Sequence, residues 1–257
     1  MFILKNLNVV ELIRFVAIVK SNFHWLLLFL RAKDKRKFLA FKTLSHSQLH
    51  QDLFVLDILN FKHDGFFVEF GACDGKYLSN TLMMEENFNW KGILSEPCRQ
   101  WHKELKASRS AIVDTRCVWS KTGESIEFLE LVDDAALSGH SGSLQSLDDL
   151  RSEQSKRADM IRKYPVETVS LNDLLDQNTN RSFIDFLSVD TEGSEFEILK
   201  KLDFKKYSFG VVCVEHNYKS HRESIHALLR KNGYVRKNQS LSRFDDWYVN
   251  QKILNNQ

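Results

Sequence analysis

The chain has 257 residues, 43% of them hydrophobic and 27% charged, which is enough apolar material for one large domain with a sizeable core. Lys and Arg number 36 against 34 for Asp and Glu, and the resulting net charge of +2 gives no electrostatic argument for a nucleic-acid partner. Two prolines and ten glycines argue against long linkers, and the four cysteines, Cys73, Cys98, Cys117 and Cys213, form no CxxC pair and read as reduced, buried thiols of a cytoplasmic protein.

From the N-terminus, Val9 to Leu30 is strongly apolar but carries Glu11, Arg14, Lys20 and His24, which disfavours a membrane span. Arg31-Ala32-Lys33-Asp34-Lys35-Arg36-Lys37 follows where a secretory signal would have its small-residue cleavage site. Residues 1–46 are therefore expected to form a helical extension packed on the domain of residues 47–257 or on a second copy, which leaves a homo-oligomer open. Residues 1–37 could instead rest on a membrane surface, with the basic cluster against anionic lipid. Gln48 to Leu59 has helical apolar spacing and leads into a first strand, Phe66 to Phe70. A helix capped by Ser79 or Asn80 and a second strand, Gly92 to Ser95, come next. A third strand is expected over Ala111 to Trp119 and an antiparallel one over Ser125 to Leu131. Ser138 to Ser143 and the charged stretch Asp148 to Lys163 read as a mobile loop of the length used for lids.

Order returns at Val166 to Val169 and at a helix capped by Ser170. Phe183 to Val189 and Phe209 to Val214 are continuous apolar runs, as expected of parallel strands covered on both faces. Each run is followed by an expected capping box, Ser194 with Glu197 and Ser220 with Glu223, and the second helix should stop at Asn232-Gly233. The repeated order of strand, polar turn and capped helix is that of an α/β fold with a doubly wound sheet.

In such a sheet the ligand lies outside the carboxyl ends of the strands, and polar residues gather there: Glu69 to Gly75, Glu96, Asp190 to Glu192, and Glu215 to Asn217. Gly71 and Gly75 allow a sharp turn and close ligand approach. The spacing Glu69-x-Gly71-x-x-x-Gly75 is not GxGxxG, which counts against a nicotinamide dinucleotide. The flanking carboxylates of Glu69 and Asp74 suit a cofactor with ammonium, sulfonium and ribose hydroxyls, a description that fits S-adenosylmethionine. Glu96, 25 positions after Gly71, stands near the interval of roughly 20 residues at which an acid accepts from a ribose diol.

Phe67-Val68-Glu69-Phe70-Gly71-Ala72-Cys73-Asp74-Gly75, Leu78-Ser79-Asn80-Thr81, Trp90 to Pro97 and Ile184 to Glu195 together resemble the FkbM family of S-adenosylmethionine-dependent methyltransferases, in register from about Ser47 to Tyr234. Ser47-Gln48 and Gln51-Asp52 resemble that family's opening motif, with His50 where glycine is more usual. The resemblance implies a class I methyltransferase fold, Rossmann-like, and an oxygen acceptor on a sugar or natural product. It places Glu69, Gly71, Asp74 and Gly75, with Ala72, around the methionine end of the cofactor. It puts Ser79 and Asn80 at the following helix start, Glu96 and Pro97 at the ribose, and Cys117 and Val118 at the adenine.

A hydroxyl acceptor needs a base or a metal that lowers its pKa. Asp190, Glu192, Glu195 and His216 are the candidates, with Asp190, which also borders the cofactor, or His216 favoured as base and Glu192 alternatively fixing the Gly193 turn. Glu195 fits better as an acid at a helix N-terminus. Asp190, Glu192, Glu215, His216 and Asn217 would allow a divalent metal without compelling one. His140, Trp119, Trp247 and Tyr218 are weaker candidates for touching substrate. The leading expectation is a cytoplasmic O-methyltransferase acting on a saccharide or glycolipid precursor; the alternative is a methyltransferase fold kept as an inactive binding or assembly module.

Overall fold

The computed structural model describes residues 24–131, 138–140 and 161–256. After a helical stretch over 24–31 come α1 (Lys35–Phe41), α2 (Gln51–Ile58), β1 (Phe66–Phe70), α3 (Leu82–Phe88), β2 (Lys91–Ser95), α4 (His102–Ser108), β3 (Ile112–Asp114), β4 (Cys117–Trp119), β5 (Ser125–Leu131) and β6 (Gly139–His140). The rest of the chain forms β7 (Ile161–Ser170), α5 (Leu171–Asn178), β8 (Phe183–Val189), α6 (Glu195–Leu199), β9 (Ser208–Glu215), α7 (Arg222–Lys231), β10 (Tyr234–Lys237), β11 (Asp245–Asn250) and α8 (Gln251–Asn255). Most of the apolar Val9–Leu30 run, and residues 141–160 of the expected loop, lie outside the described residues.

Among the described residues the main sheet has seven strands in the order β3-β2-β1-β8-β9-β11-β10. Every neighbouring pair is parallel except those involving β11, which runs against both β9 and β10. The chain leaves β1 for β2 on one side and returns at β8 on the other, so β1 and β8 flank the topological switch point where a ligand crevice opens. Alternate residues of the strands serve two cores. Phe66, Val68 and Phe70 of β1 join Ile184, Leu187 and Val212 on one face, while Phe67 joins Phe186, Val211 and Trp247 on the other. Leu28, Ala32 and Phe38 of the N-terminal segment belong to the second of these cores, and the Asp57 carboxylate accepts from the backbone N–H groups of Lys33 and Asp34 at 2.9 and 3.0 Å. The described part of the extension is thus built into the domain.

Two sequence expectations are corrected. The apolar run from Ala111 to Trp119 is two strands, because the chain leaves the main sheet at Asp114, whose carboxylate pairs with Arg116, and Cys117–Trp119 pairs with β7 in a second sheet ordered β4-β7-β5-β6. The capping boxes do not form. Ser194 directs its hydroxyl to Thr191 and Glu197 pairs with Lys200, while His221 rather than Ser220 precedes the first turn of α7. The β10–β11 hairpin beyond Gly233 had no counterpart in the sequence reading.

Gly71 sets the junction between β1 and β8. Its φ is +74°, and a Cβ built there would lie 2.4 Å from the carbonyl oxygen of Asp190. The space that sequence reasoning reserved for a ligand at this position is occupied by the next strand end. Gly71→Ala combines a left-handed backbone, at about 1–2 kcal/mol, with overpacking of about 1–3 kcal/mol. At roughly 2–4 °C per kcal/mol for a domain of this size, thermal unfolding should show a midpoint lowered by about 5–15 °C, and an unchanged midpoint would refute the contact.

Candidate functional site

A cavity of about 420 Å³ lies beyond the carboxyl ends of β1, β2, β8 and β9. Its first wall is the loop after β1, and that loop is held from behind. Glu69, 3% exposed, accepts from Asn80 N–H at 2.7 Å, from the Ser79 hydroxyl at 3.1 Å and from the Thr81 hydroxyl. The buried Arg109 guanidinium reaches the same loop, donating to the Gly75 carbonyl at 3.0 Å, to Ser79 Oγ at 3.2 Å and to Thr81 Oγ1 at 2.9 Å, and it pairs with Glu85 at 2.9 Å. Gly75 (φ +83°) closes against α4, where a Cβ would meet Arg109 Cγ and Ser108 Oγ at 2.6 Å. Asp74 accepts from Lys76 and Tyr77 N–H groups and so fixes a turn.

The sequence-derived residues therefore divide. Glu69, Gly71, Asn80, Glu96, Pro97, Cys117, Val118, Asp190 and Glu192 line the cavity, whereas Ala72, Asp74, Gly75 and Ser79 lie behind its wall and shape it. Arg109 was missed by sequence reasoning, and a lone arginine between serines after an amphipathic helix gives no signal. The opening motif acts from the other side. Gln48 lines the cavity, Gln51 donates to Asp245 at 2.7 Å, and Asp52 accepts from Ser45 Oγ and His46 N–H. His50 has φ +60°, which accounts for the glycine more usual at that place.

Glu96 ends β2 fully buried, with one oxygen accepting from Cys98 N–H and the other from Cys73 N–H, both at 2.8 Å. Burial outweighs these two donors and pushes its carboxyl up to about 7. Both Cys117 and Val118 face the cavity beside it.

The opposite wall is acidic. Asp190, Glu192 and Glu215 bring carboxylate oxygens within 4.8 Å of one another at the ends of β8 and β9. Burial first, then repulsion from the neighbouring carboxylates, raises both Asp190 and Glu215 above the usual carboxylate range. Such a set of hard oxygen donors fits an oxygen-preferring divalent cation and does not require one. Asp245, just behind, is pushed up to about 6 by burial. Among the described residues no lysine, arginine or histidine lines the cavity.

His216 faces away from the cavity. Its Nδ1 accepts from Tyr218 N–H at 2.9 Å, its Nε2 lies 3.8 Å from Asp246, and burial lowers its pKa. Glu215, the neighbour of His216, is the residue of this pair that reaches the cavity. Trp247 is fully buried in the core, whereas Tyr218 is 70% exposed.

A doubly wound sheet with one reversed strand next to its edge, and a cavity at the switch point between buried Glu96 and the acidic wall of Asp190, Glu192 and Glu215, fit a class I S-adenosylmethionine-dependent methyltransferase. The model of the methyltransferase FkbM domain matches residues 69–236, and the chain belongs to the FkbM family. Among solved structures it is similar to methyltransferase FkbM from Methylobacillus flagellatus, at 14% identity and a TM-score of 0.44, over 84% of this chain and 59% of that one. It is also similar to precorrin-6y C5,15-methyltransferase from Geobacter metallireducens, at 12% identity and a TM-score of 0.37, over 72% of this chain and 71% of that one. A human methyltransferase 10 domain containing protein aligns at 14% identity with a TM-score of 0.41, over 79% of this chain and 81% of that one. No curated protein matches the sequence.

If the Glu96 carboxylate accepts the ribose hydroxyls, its ionised form is the binding form. A carboxyl with its pKa at about 7 is protonated below that value, so affinity for S-adenosylmethionine should fall as pH is lowered through about 7, by up to about tenfold per unit. Titration calorimetry at pH 8 and pH 6 tests this, with Glu96→Gln expected to be weak at both; an equally steep pH dependence in that variant would exclude Glu96 as its source.

Proposed function

We propose that the chain transfers the methyl group of S-adenosylmethionine to a hydroxyl of a saccharide, a glycolipid precursor or a related natural product. The observation that carries this reading is the close approach of the Asp190 and Glu215 carboxylates, within 4.8 Å of each other, on the cavity wall facing Glu96. Bound S-adenosylmethionine supplies a methyl electrophile with a neutral thioether leaving group. The Asp190–Glu215 pair takes the proton of the acceptor hydroxyl as the oxygen–carbon bond forms, and Gly71, Asn80 and Asp190 set the direction of approach. A divalent cation held by Asp190, Glu192 and Glu215 would add charge stabilisation for the acceptor oxygen.

Tyr77, 56% exposed on the cavity wall, presents an amphipathic ring face there, which supports a saccharide acceptor. A cytoplasmic location is supported by the four cysteines, all free. Peripheral contact with a membrane is supported by exposed Leu26 and Leu30 beside exposed Arg31, Lys33, Lys35, Arg36 and Lys37; no helix among the described residues is long and apolar enough to cross one.

Calorimetry should show binding of S-adenosylmethionine and none of NAD; binding of NAD alone would overturn the reading. Across a panel of saccharide acceptors, with release of S-adenosylhomocysteine as the signal, Glu215→Gln should lower turnover about 10²–10⁴-fold while cofactor affinity holds within about threefold. His216→Ala should cost less than Glu215→Gln; the reverse order would return the proton-accepting role to the histidine. Vesicles containing phosphatidylglycerol should co-sediment the chain, and neutral phosphatidylcholine vesicles should not.

A further inference from the structure

Glu195 touches nothing in the cavity, yet the acidic wall hangs on it. Only 1% exposed, it uses Oε1 to accept from Gly193 N–H at 2.8 Å and from Thr191 N–H and Oγ1 at 3.2 Å. Its Oε2 lies 3.3 Å from His221 Nε2. The turn gathered by Oε1 carries Asp190, Thr191, Glu192 and Ser194 to the cavity, and it includes left-handed backbone at Glu192 (φ +57°) and Gly193 (φ +119°). Lys219 Nζ donates to the Glu192 carbonyl at 3.2 Å, so the segment after β9 grips the same turn at a second point.

A buried carboxylate is costly unless it is paired and hydrogen-bonded. Burial works to raise Glu195, and the His221 contact and the Gly193 N–H overcome it, holding the carboxyl below its usual range. The cost is therefore met by the turn after β8, which donates to Oε1, and by His221 ahead of α7, which faces Oε2.

We propose that Glu195 is a positioning residue for methyl transfer, holding Asp190 in place through the 191–193 turn and itself oriented by His221. The proposal rests on the methyltransferase reading of the cavity, and its test separates the two. In the full chain, amide hydrogen exchange over residues 190–194 should rise about tenfold or more in Glu195→Ala and by a smaller factor in His221→Ala. Glu195→Gln, whose amide oxygen can still accept the Thr191 and Gly193 N–H groups, should stay within about threefold of the parent chain. Titration of S-adenosylmethionine into Asp190→Ala, Glu195→Ala and the double variant should give a non-additive cycle, the double variant binding within about twofold of Asp190→Ala alone. Additive losses, a loss in Glu195→Ala with none in Asp190→Ala, or unchanged exchange in Glu195→Ala would each overturn the positioning role. If Glu195→Ala does not fold, His221→Ala with unchanged exchange has the same force. A chain that fails to bind S-adenosylmethionine refutes the functional reading instead, and the exchange measurement still decides the role of Glu195.

Discussion

The site depends on a single close approach, that of Gly71 to the carbonyl of Asp190. β1 and β8 are neighbours in the sheet but diverge in their connections, one leading to β2 and the other to α6. Where they part, the backbone of one strand end fills the volume of a missing side chain on the other. That contact sets the distance between the two walls of the cavity, because the loop after β1 starts at Gly71 and the acidic turn starts at Asp190. Each wall then has its own buried support, Glu69 with Arg109 on one side and Glu195 with His221 on the other. The two supports use the same physics, a desolvated carboxylate that accepts from backbone N–H and hydroxyl donors of the loop it controls.

How legible this was in the sequence follows from which interactions are local. β1, β5 and β8 have the limits that their apolar runs predict, because burial on both faces or strict alternation leaves one reading. The break between β3 and β4 is invisible, since Ile112 to Trp119 stays strand-like while the chain changes sheets. The β10–β11 hairpin is hidden for another reason. Asp245 and Asp246 look like loop residues, but both are buried in a strand, satisfied by Gln51 from α2 and by Arg222 and Arg236 from β10 and the helix before it. Partners that far away in sequence cannot be read from spacing. For the same reason the sequence named His216 as a base candidate and gave Glu215 beside it only as a possible metal ligand. Successive strand residues point to opposite faces, and the frame that decides which one meets the cavity is fixed by pairing with β8 and β11.

The roles inside the motifs shifted in a consistent direction. Glu69, Asp74, Gly75 and Ser79 resemble ligand-contact residues, yet their polar atoms serve the loop itself. If this loop holds the cofactor, it gains more from being preorganised than from one extra contact, because ordering it at the moment of binding would be subtracted from affinity. Asn80 shows the division at one residue. Its backbone N–H is given to Glu69, while its side-chain amide, bonded to Ser188, reaches the cavity.

The charge of the cavity links binding to chemistry in the proposed reaction. Five carboxyls, those of Glu69, Glu96, Asp190, Glu192 and Glu215, border a space with no basic side chain among the described residues lining it. In that state burial and mutual repulsion favour the protonated forms of Asp190 and Glu215, and a protonated carboxyl is a poor base. A cationic sulfonium entering the cavity reverses the balance, since a positive charge nearby favours the ionised form of every carboxyl facing it. Cofactor binding would therefore release a proton and create the base that the acceptor needs. Once the methyl has moved, the cation is gone, the pair regains its affinity for a proton, and the proton it has just accepted is held rather than returned to the ether product. In the proposed reaction the acids that face the sulfonium would thus also hold the proton that the acceptor gives up.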